Sequence, residues 1–506
     1  MISKINTCAL SGIDGLPVVC ECDLSSGLPA FDIVGLPDAS VREAKDRVRS
    51  AVKASGFEFP LRRITVNLAP ARIKKSGTYF DLPILMGILL SSGQIEKIPE
   101  DCAFFGELSL DGKIRGISGA LPLSLAAMKD GKTKIFIPEE NAMEAAVAEG
   151  AEIYPCPDVP SLIAHLKGIS PIKQAKAPIF AHEYGDSLDY ADVLGQERAK
   201  RAITVAAAGG HNILMIGPPG SGKSMLAKRL PSVLPPLTFE EALECTKIYS
   251  VLGLLNGEKP MITERPFRSP HHTVSSAAMA GGTANPRPGE ISMAHRGVLF
   301  LDELPEFHKD VLEVLRQPME DGKVVVSRAS GSAVYPAEFM LVCAMNPCKC
   351  GYYGFDSLRC TCTEQSVKKY RHRISGPMSD RIDIQITVLA VAYSDLSGRG
   401  ERSKTSAEMR EEIKKAIEIQ RRRFEGSAVT LNGRMDAAMV RKHCVLSEDC
   451  RKIMSMAFDR LGLSVRGHDK ILKIARTIAD LAGSEKIETA HLMEAIEYRG
   501  LDRENI

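Results

Sequence analysis

One glycine-rich segment has the composition of a phosphate-binding loop. It consists of Gly217, Pro218, Pro219, Gly220, Ser221, Gly222, Lys223 and Ser224. An apolar run, NILMIG, precedes it, and a helical run, SMLAKRLPSVL, follows it. Glycines let backbone N–H groups turn inward around phosphate oxygens, and the next helix adds its positive N-terminus. The segment therefore predicts an ATP site in which Lys223 neutralises the β and γ phosphates and Ser224 holds Mg²⁺.

Two further apolar runs end in side chains that suit ATP hydrolysis. GVLFLDEL carries Asp302 and Glu303, so the aspartate can reach Mg²⁺ and the glutamate can polarise the attacking water. FMLVCAMN ends in Asn346, whose amide can orient the same water; a turn asparagine is the alternative. Acidic pairs also occur at ordinary strand ends. Asp302 and Glu303 indicate a catalytic site only because the chain also carries the phosphate-binding loop.

Four cysteines follow Asn346 within a single polar stretch, NPCKCGYYGFDSLRCTC. They are Cys348, Cys350, Cys360 and Cys362. Four soft ligands close a tetrahedral structural zinc site, although the Cys-x-Cys spacing is tighter than the common gap. Unligated thiols are the next alternative, and a disulfide comes last because the 13 cysteines are mostly scattered and a reducing cytosol keeps thiols free. The stretch favours bound Zn²⁺.

The elements that must position these residues fall into several units. A chain of 506 residues is long enough for about three domains. Residues 1–168 alternate β-rich and helical runs, residues 169–188 lack periodicity and carry two prolines, and residues 189–393 contain buried-strand runs between helices. Residues 394–506 repeat apolar residues at helical spacing. The pattern predicts a mixed α/β domain, a linker, a parallel α/β core and a helical domain.

Charge and hydropathy narrow the classes of protein. The net charge of +2 gives no global field toward nucleic acid or acidic membranes, so any such binding needs local patches. The longest apolar run, LPILMGILL, is far short of the roughly 20 residues of a membrane helix, and the N-terminus does not resemble a signal peptide. These features predict a cytoplasmic protein without a membrane partner.

Five long strings carry a further signal: AAAGGHNILMIGPPGSGKS, NPRPGEISMAHRGVLFLDELPEF, AMNPCKCG, SGPMSDRIDI and LSVRGHDKILKIARTIADLAG. They resemble the YifB/ComM family of magnesium-chelatase-like AAA+ ATPases, and the similarity runs nearly end to end. The resemblance implies an α/β AAA+ P-loop NTPase core with an α-helical lid, preceded by a Lon-protease-like α/β domain. It also implies a homo-oligomeric ring, usually a hexamer, with ATP at subunit interfaces. In the related ComM group the activity is helicase-like migration of branched DNA during recombination.

The resemblance also assigns roles to two arginines. Arg381 in GPMSDRID matches the arginine finger that acts on a neighbouring subunit, and Arg466 in LSVRGHD matches the sensor arginine of the lid. Lys470 stands where many relatives have an arginine, a mild departure that leaves the role of Arg466 unaffected. A zinc clip would stiffen the loop between Asn346 and Arg381.

The N-terminal region resembles the proteolytic domain of Lon-type proteases, through GELSLDGKIRGISGALPLSLAA and IFIPEENAMEA. That domain uses a serine and lysine dyad. Here Tyr79 stands at the serine position and Leu121 at the lysine position, and a tyrosine without a lysine of lowered pKa is a poor nucleophile. We therefore predict that the chain is not a peptidase.

Basic residues in three segments are candidates for DNA contact. The first segment carries Arg265, Arg268, His271, His272, Arg287, His295 and Arg296; a hairpin implied by the resemblance carries Lys323 and Arg328; the N-terminal run carries Arg62, Arg63, Arg72, Lys74 and Lys75. Pore-facing loops could track phosphates without reading bases. Exposed basic loops, interface residues or a solvated face are the alternatives, and the scarcity of aromatic residues argues against base stacking.

Three function classes remain open. The first is a DNA-dependent ATPase motor on branched or single-stranded DNA. The rate of ATP hydrolysis with and without DNA distinguishes it from the other two. The second is a chelatase-like ATPase that remodels a protein partner, although the chain lacks a DxSxS metal-adhesion string. The third is a nucleotide-gated scaffold without turnover, and Glu303, Asn346 and Arg381 argue against it because binding alone does not need them.

Overall fold

The first part of the chain is a mixed α/β domain built on one sheet. The computed structural model describes residues 2–177, 180, 188–255, 259–282, 286–328, 331–390, 403–427 and 429–499. The strands of the first part are β1 (Ser3–Ser11), β2 (Asp14–Ser25), β3 (Ala30–Val34), β4 (Arg63–Ala69), β5 (Cys102–Phe104), β6 (Glu107–Leu108), β7 (Ile114–Arg115), β8 (Lys134–Pro138) and β9 (Glu152–Cys156). Its helices are α1 (Ala39–Ala54), α2 (Asp81–Ser91), α3 (Ala120–Lys129), α4 (Ala142–Ala145) and α5 (Val159–Leu166).

Seven strands form the first sheet, in the order β3-β4-β2-β1-β5-β8-β9. β1, β2 and β4 pair in antiparallel fashion, and β5, β8 and β9 extend the sheet in parallel. On β4, Ile64, Val66 and Leu68 are buried while the residues between them are partly exposed, which is the alternation of a sheet with one core face. The apolar run LPILMGILL forms α2, which is buried almost all round, so this run belongs to the core.

The second part contains a parallel five-stranded sheet in the order β11-β12-β15-β10-β16. Its strands, and those of a separate hairpin (β13 and β14), are β10 (Ile213–Ile216), β11 (Phe267–Arg268), β12 (Val298–Leu301), β13 (Lys323–Arg328), β14 (Gly331–Pro336), β15 (Met340–Met345) and β16 (Ile384–Thr387). Its helices are α6 (Glu197–Gly209), α7 (Lys223–Lys228), α8 (Phe239–Leu252), α9 (Ser276–Ala280), α10 (Glu290–Met293), α11 (Lys309–Val314), α12 (Arg316–Asp321), α13 (Glu364–Arg371) and α14 (Gly376–Ser379). β10, β12 and β15 are apolar at every position because both faces of the sheet are covered.

The C-terminal part is helical, as the sequence predicts. Its helices are α15 (Ser406–Arg423), α16 (Ala437–His443), α17 (Glu448–Leu461), α18 (Val465–Leu481) and α19 (Thr489–Glu497). Thr405 and Glu408 form a capping box at the start of α15, and Gly462 ends α17 in a left-handed conformation. These helices share one apolar core with α6 and the parallel sheet. Lys470 on α18 also pairs with Asp383, 2.8 Å away, just before β16.

Short 3₁₀ turns connect these elements, at Thr78–Phe80, Glu139–Asn141, Tyr190–Asp192, Leu230–Ser232, Leu304–Glu306 and Asn432–Arg434. The predicted α/β class with a helical C-terminal region is confirmed. The predicted boundary at 393/394 lies outside the described residues, and so do 178, 179 and 181–187 of the predicted linker. Ile172 and Ala175, at the beginning of that linker, pack against the first core. Among the described residues, every helix is too short or too polar to cross a lipid bilayer.

The first domain is attached to the second through α3 and α8. Leu121 on α3 lies in a small apolar core with Leu237, Cys245 and Met261 of the second part. The buried carboxylate of Glu144 accepts hydrogen bonds from the Ser250 hydroxyl on α8 and from the Leu121 N–H, the latter at 2.9 Å. One carboxylate therefore satisfies polar groups of both domains.

We expect Glu144→Ala to destabilise this attachment. The substitution leaves the Ser250 hydroxyl and the Leu121 N–H buried without an acceptor, at a cost of about 1–3 kcal/mol for each group. The measurement is the midpoint of urea unfolding, which should fall. Glu139→Ala removes an exposed carboxylate nearby and serves as the control. Equal midpoints for the two variants would contradict the bridging role of Glu144.

Candidate functional site

The phosphate-binding loop lies between β10 and α7, as its sequence predicts. Gly220 and Gly222 have φ angles of 76° and 90°, in the left-handed region that favours glycine. A Cβ on Gly217 would lie 2.2 Å from the carbonyl oxygen of Val388, so the close approach of the residue that follows β16 also requires glycine there. These glycines allow the backbone to curl around the start of α7.

Lys223 lies at the mouth of this loop. Its Nζ donates hydrogen bonds to the carbonyls of Gly217 and Pro218, at 2.8 and 2.9 Å, and to the side-chain oxygen of Asn346 at 3.3 Å. Burial lowers the pKa of Lys223, and the negative charge of Asp302 opposes this shift. The amine is therefore held between the ends of β10 and β15.

Ser224 and Asp302 bring two hard oxygen ligands together. The Ser224 hydroxyl donates a hydrogen bond of 2.6 Å to Oδ2 of Asp302, which follows the last residue of β12. Hydroxyl and carboxylate oxygens beside a phosphate-binding loop are the donors that Mg²⁺ prefers. The next residue, Glu303, has a φ of 53° and a side chain that is 55% exposed. The pair fits a magnesium site, with a second carboxylate beside it.

The register of the parallel sheet explains why these residues meet. Ile216 pairs with Met345 and Leu301 pairs with Cys343, so β10, β12 and β15 end at the same edge. The structure thus brings Lys223, Asn346 and the two acidic residues together from segments that are far apart in the sequence.

Arg381 and Arg466 lie at the other edge of the sheet. The side-chain amide of Asn212, just before β10, donates a 3.1 Å hydrogen bond to the carbonyl of Arg381. The four residues of β10 separate this edge from the phosphate-binding loop by about 13 Å. Arg381 and Arg466 line a cavity of about 330 Å³, together with Arg434 and Lys473. The Arg381 guanidinium pairs with Glu320 and donates to the Pro377 carbonyl at 2.7 Å. The structure therefore does not bring these two arginines to the chain's own loop.

The four cysteines form one cluster. Their sulfur atoms all lie within 4.8 Å of one another, and the Sγ atoms of Cys348 and Cys350 are 3.3 Å apart. Four thiolates bound to one tetrahedral zinc at about 2.3 Å lie about 3.8 Å apart, so the cluster has the size of a zinc site. A hydrogen bond from the Tyr352 N–H lowers the pKa of Cys350 to about 6, whereas the pKa values of Cys360 and Cys362 are raised, because the backbone hydrogen bonds that lower them are outweighed by burial and by hydrogen bonds to neighbouring thiols. Metal binding would require all four thiols to lose their protons.

The cysteine loop also contacts the phosphate-binding loop. A Cβ on Gly351 would lie 2.6 Å from Cδ of Pro219, so the backbone of Gly351 packs closely against the ring of Pro219. The cluster begins only two residues after Asn346. The cysteine loop is therefore part of the structure that holds the phosphate-binding loop and Asn346.

Several candidates for DNA contact have structural partners instead. Four of them are held by acidic or carbonyl groups of the chain: Arg265, Arg268, His295 and Arg296. Arg268, for example, donates two hydrogen bonds to Glu290, at 2.7 and 2.9 Å. Lys75 is fully buried and donates to the carbonyl of Pro70, so its assignment to a basic surface was wrong. A structural role is favoured for these five residues.

Other basic candidates remain exposed. They include Arg62, Arg63, Arg72, Lys74, His271, Arg287 and Lys323. The hairpin implied by the resemblance is present as β13 and β14, while the side chain of Arg328 lies outside the described residues. Exposed cations are therefore available on the hairpin and beside the parallel sheet.

The two positions of the Lon-like dyad are both buried. Leu121 lies in the core between the domains. The Tyr79 hydroxyl accepts a 3.0 Å hydrogen bond from the Leu10 N–H, and burial raises its pKa well above the usual value. These positions have a packing role in the structure.

One site residue received a different role in the sequence analysis. His272, a candidate for DNA contact, lies with Nδ1 3.4 Å from Oε2 of Glu303. It follows β11, a strand of only two residues that periodicity does not reveal. Pairing of β11 with β12 is the observation that would have found it.

Comparison with known proteins gives full-length matches. Three family models match: magnesium chelatase subunit ChlI at 189–396, subunit ChlI of Mg-chelatase at 20–141, and the C-terminal part of magnesium chelatase subunit ChlI at 403–499. The chain is 41% identical to YifB of Salmonella typhimurium, with 99% of this chain and 98% of that one covered. It is 42% identical to the competence protein ComM of Haemophilus influenzae, over 98% and 97% of the two chains. Lon protease 2 of Bacillus subtilis is 30% identical over 28% of this chain and 26% of its own length.

We expect Gly351→Ala to weaken binding of a nucleoside triphosphate. The new Cβ would press on Pro219, and overpacking costs about 1–3 kcal/mol, which corresponds to a loss of about 5- to 150-fold in affinity if the whole cost falls on the bound state. Calorimetric titration with ATP measures the change. Gly354→Ala is the matched control, because Gly354 also has a positive φ but would meet no atom within 4 Å. Equal affinities in the two variants would show that the contact does not matter.

Proposed function

This chain belongs to the YifB/ComM family of magnesium-chelatase-like AAA+ proteins, and on that premise we propose that it is a ring-forming ATPase motor that acts on DNA. The observation that carries the proposal is the meeting of Lys223, Asp302, Glu303 and Asn346 at one edge of the parallel sheet. The substrates are ATP and branched DNA, and the activity is branch migration of recombination intermediates.

The chemistry is assigned to residues of this edge. Lys223 binds the β and γ phosphates, and Ser224 and Asp302 hold Mg²⁺, which neutralises phosphate charge when bound. Asn346 orients a water molecule. The water oxygen bonds to the γ-phosphorus as the bond to the β–γ bridging oxygen breaks, and Glu303 accepts the proton while ADP leaves with the electron pair.

The remaining cations come from a neighbouring subunit. Arg381 and Arg466 lie at the edge opposite the chain's own phosphate-binding loop, which supports a role at the nucleotide of the adjacent subunit. An arginine finger supplied in this way stabilises the charge of the transition state. A closed ring of identical subunits, a hexamer in this proposal, gives every site both halves.

DNA is the proposed polymer substrate. The relative in Haemophilus influenzae is named a competence protein, and competence concerns DNA. Lys323 on the hairpin and Arg287 beside α10 are exposed cations that can contact phosphates without reading bases. The near-neutral net charge confines such binding to these patches.

Measurement of ATP hydrolysis with no DNA, with forked DNA and with four-way-junction DNA tests this function. Stimulation by branched DNA is expected. Turnover without any response to DNA would instead favour a chelatase-like ATPase that remodels a protein partner. Nucleotide binding without turnover would favour a nucleotide-gated scaffold.

We expect Arg381→Ala to lower turnover about 10³-fold or more while ATP still binds, because the arginine acts at the neighbouring site. Lys223→Ala should be inactive for a different reason, the loss of its own phosphate contact. A mixture of the two variants should recover part of the turnover, since a ring then combines an intact loop with an intact Arg381. A mixture as inactive as its components would contradict the action of Arg381 on a neighbour.

We also propose that the four-cysteine cluster binds one structural Zn²⁺. Elemental analysis of freshly purified, reduced protein should find about one zinc per chain. Cys360→Ser should lose the metal, whereas Cys102→Ala, which alters a buried thiol in β5, should retain it. Absence of zinc from the wild-type protein would contradict this assignment.

A further inference from the structure

We propose that His272 is a positioning residue that orients the catalytic carboxylate of Glu303 for attack by water. The inference rests on the proposed ATPase function and adds a residue to its mechanism. It gives His272 a role different from contact with DNA.

The sheet register places the two residues side by side. Arg268 on β11 pairs with Leu299 on β12, and the strands are parallel. His272 lies four residues after Arg268, and Glu303 lies four residues after Leu299. The segments after β11 and β12 therefore leave the sheet at the same edge, and each extends the same number of residues to reach His272 or Glu303. The contact between Nδ1 and Oε2 follows from this register.

The imidazole ring of His272 is itself held in place. The His271 ring lies with its centroid 4.0 Å away, and Phe307 meets His272 edge-on at 6.4 Å. Phe307 is buried and follows Glu303 in the same loop. The segment also starts from a fixed point, because Arg268 is bound to Glu290 by two hydrogen bonds. A group held in this way can orient another.

Glu303 has little else to fix its side chain. Its carboxylate is 55% exposed, and the ion-pair partner that the described residues provide is His272. A glutamate has three side-chain torsions, so an exposed general base samples many positions that cannot accept the proton. Catalytic bases are commonly oriented by a third group, as here by a histidine. The 3.4 Å separation is long for a hydrogen bond, and such contacts tighten when the substrate complex forms.

The contact leaves one oxygen available for chemistry. With its proton on Nδ1, His272 donates to Oε2 of Glu303, and Oε1 remains free to accept the proton of the attacking water. The histidine touches neither ATP nor water in this scheme. It acts through the glutamate, so its loss should lower the rate of the chemical step and leave substrate binding nearly unchanged.

Steady-state ATP hydrolysis by the full-length chain tests the proposal, without DNA. His272→Ala should lower kcat about tenfold or more and change KM less than about twofold. His272→Asn, whose amide can donate from a similar position, should recover much of the lost kcat. His308→Ala serves as the control because His308 is exposed in the same loop and caps no helix with its side chain; it should match the wild type.

A second comparison separates orientation from a general structural effect. In the Glu303→Gln background, His272→Ala should cause no further loss, because the carboxylate that it orients is already gone. An equal loss in both backgrounds would overturn the proposal. Unchanged or increased kcat for His272→Ala, with an active wild type, would overturn it and leave the ATPase function standing. A wild type without turnover would overturn both.

Discussion

The contact between Lys223 and Asn346 depends on one constraint, the parallel register of β10 and β15. Parallel strands end at the same edge of a sheet, so an amine after one strand and an amide after the next are brought within 3.3 Å. The same register places Asp302 after β12 beside Ser224. Every proposed catalytic group on this edge depends on that alignment, because a shifted strand would move its terminal side chain away from the others.

Much of this site could be predicted from the sequence, because its signals are local. The glycines of the phosphate-binding loop and the apolar runs that end in Asp302 and Asn346 lie in contiguous strings. His272 could not be placed in this way, since β11 has only two residues and its neighbour in the sheet comes 31 positions later. The ion pairs of the basic segment could not be predicted from the sequence either. Arg268 and Arg296 lie among glycines and prolines, as surface residues do, yet carboxylates elsewhere in the chain hold both.

In the N-terminal domain, the two positions that the Lon-like resemblance assigns to a catalytic dyad hold buried side chains. Leu121 stands where the Lon-like resemblance places a lysine, and there it packs against Leu237 and Met261 of the neighbouring domain. Tyr79 stands at the serine position and is bound to the backbone of β1. Tyr79 therefore contributes to packing within the first domain, and Leu121 contributes to the apolar contact with the second.

The hydrogen bond between Glu144 and Ser250 is one of several contacts that link α8 to the first domain. Helix α8 lies in the chain between the phosphate-binding loop and β11, and its Ser250 is bonded to the carboxylate of the first domain. The Gly119 N–H also donates to the Ser250 carbonyl at 2.9 Å, and Lys247 pairs with Asp14. Three polar contacts therefore tie this one helix to the first domain. A change in the tilt of α8 would either carry the first domain with it or break these contacts.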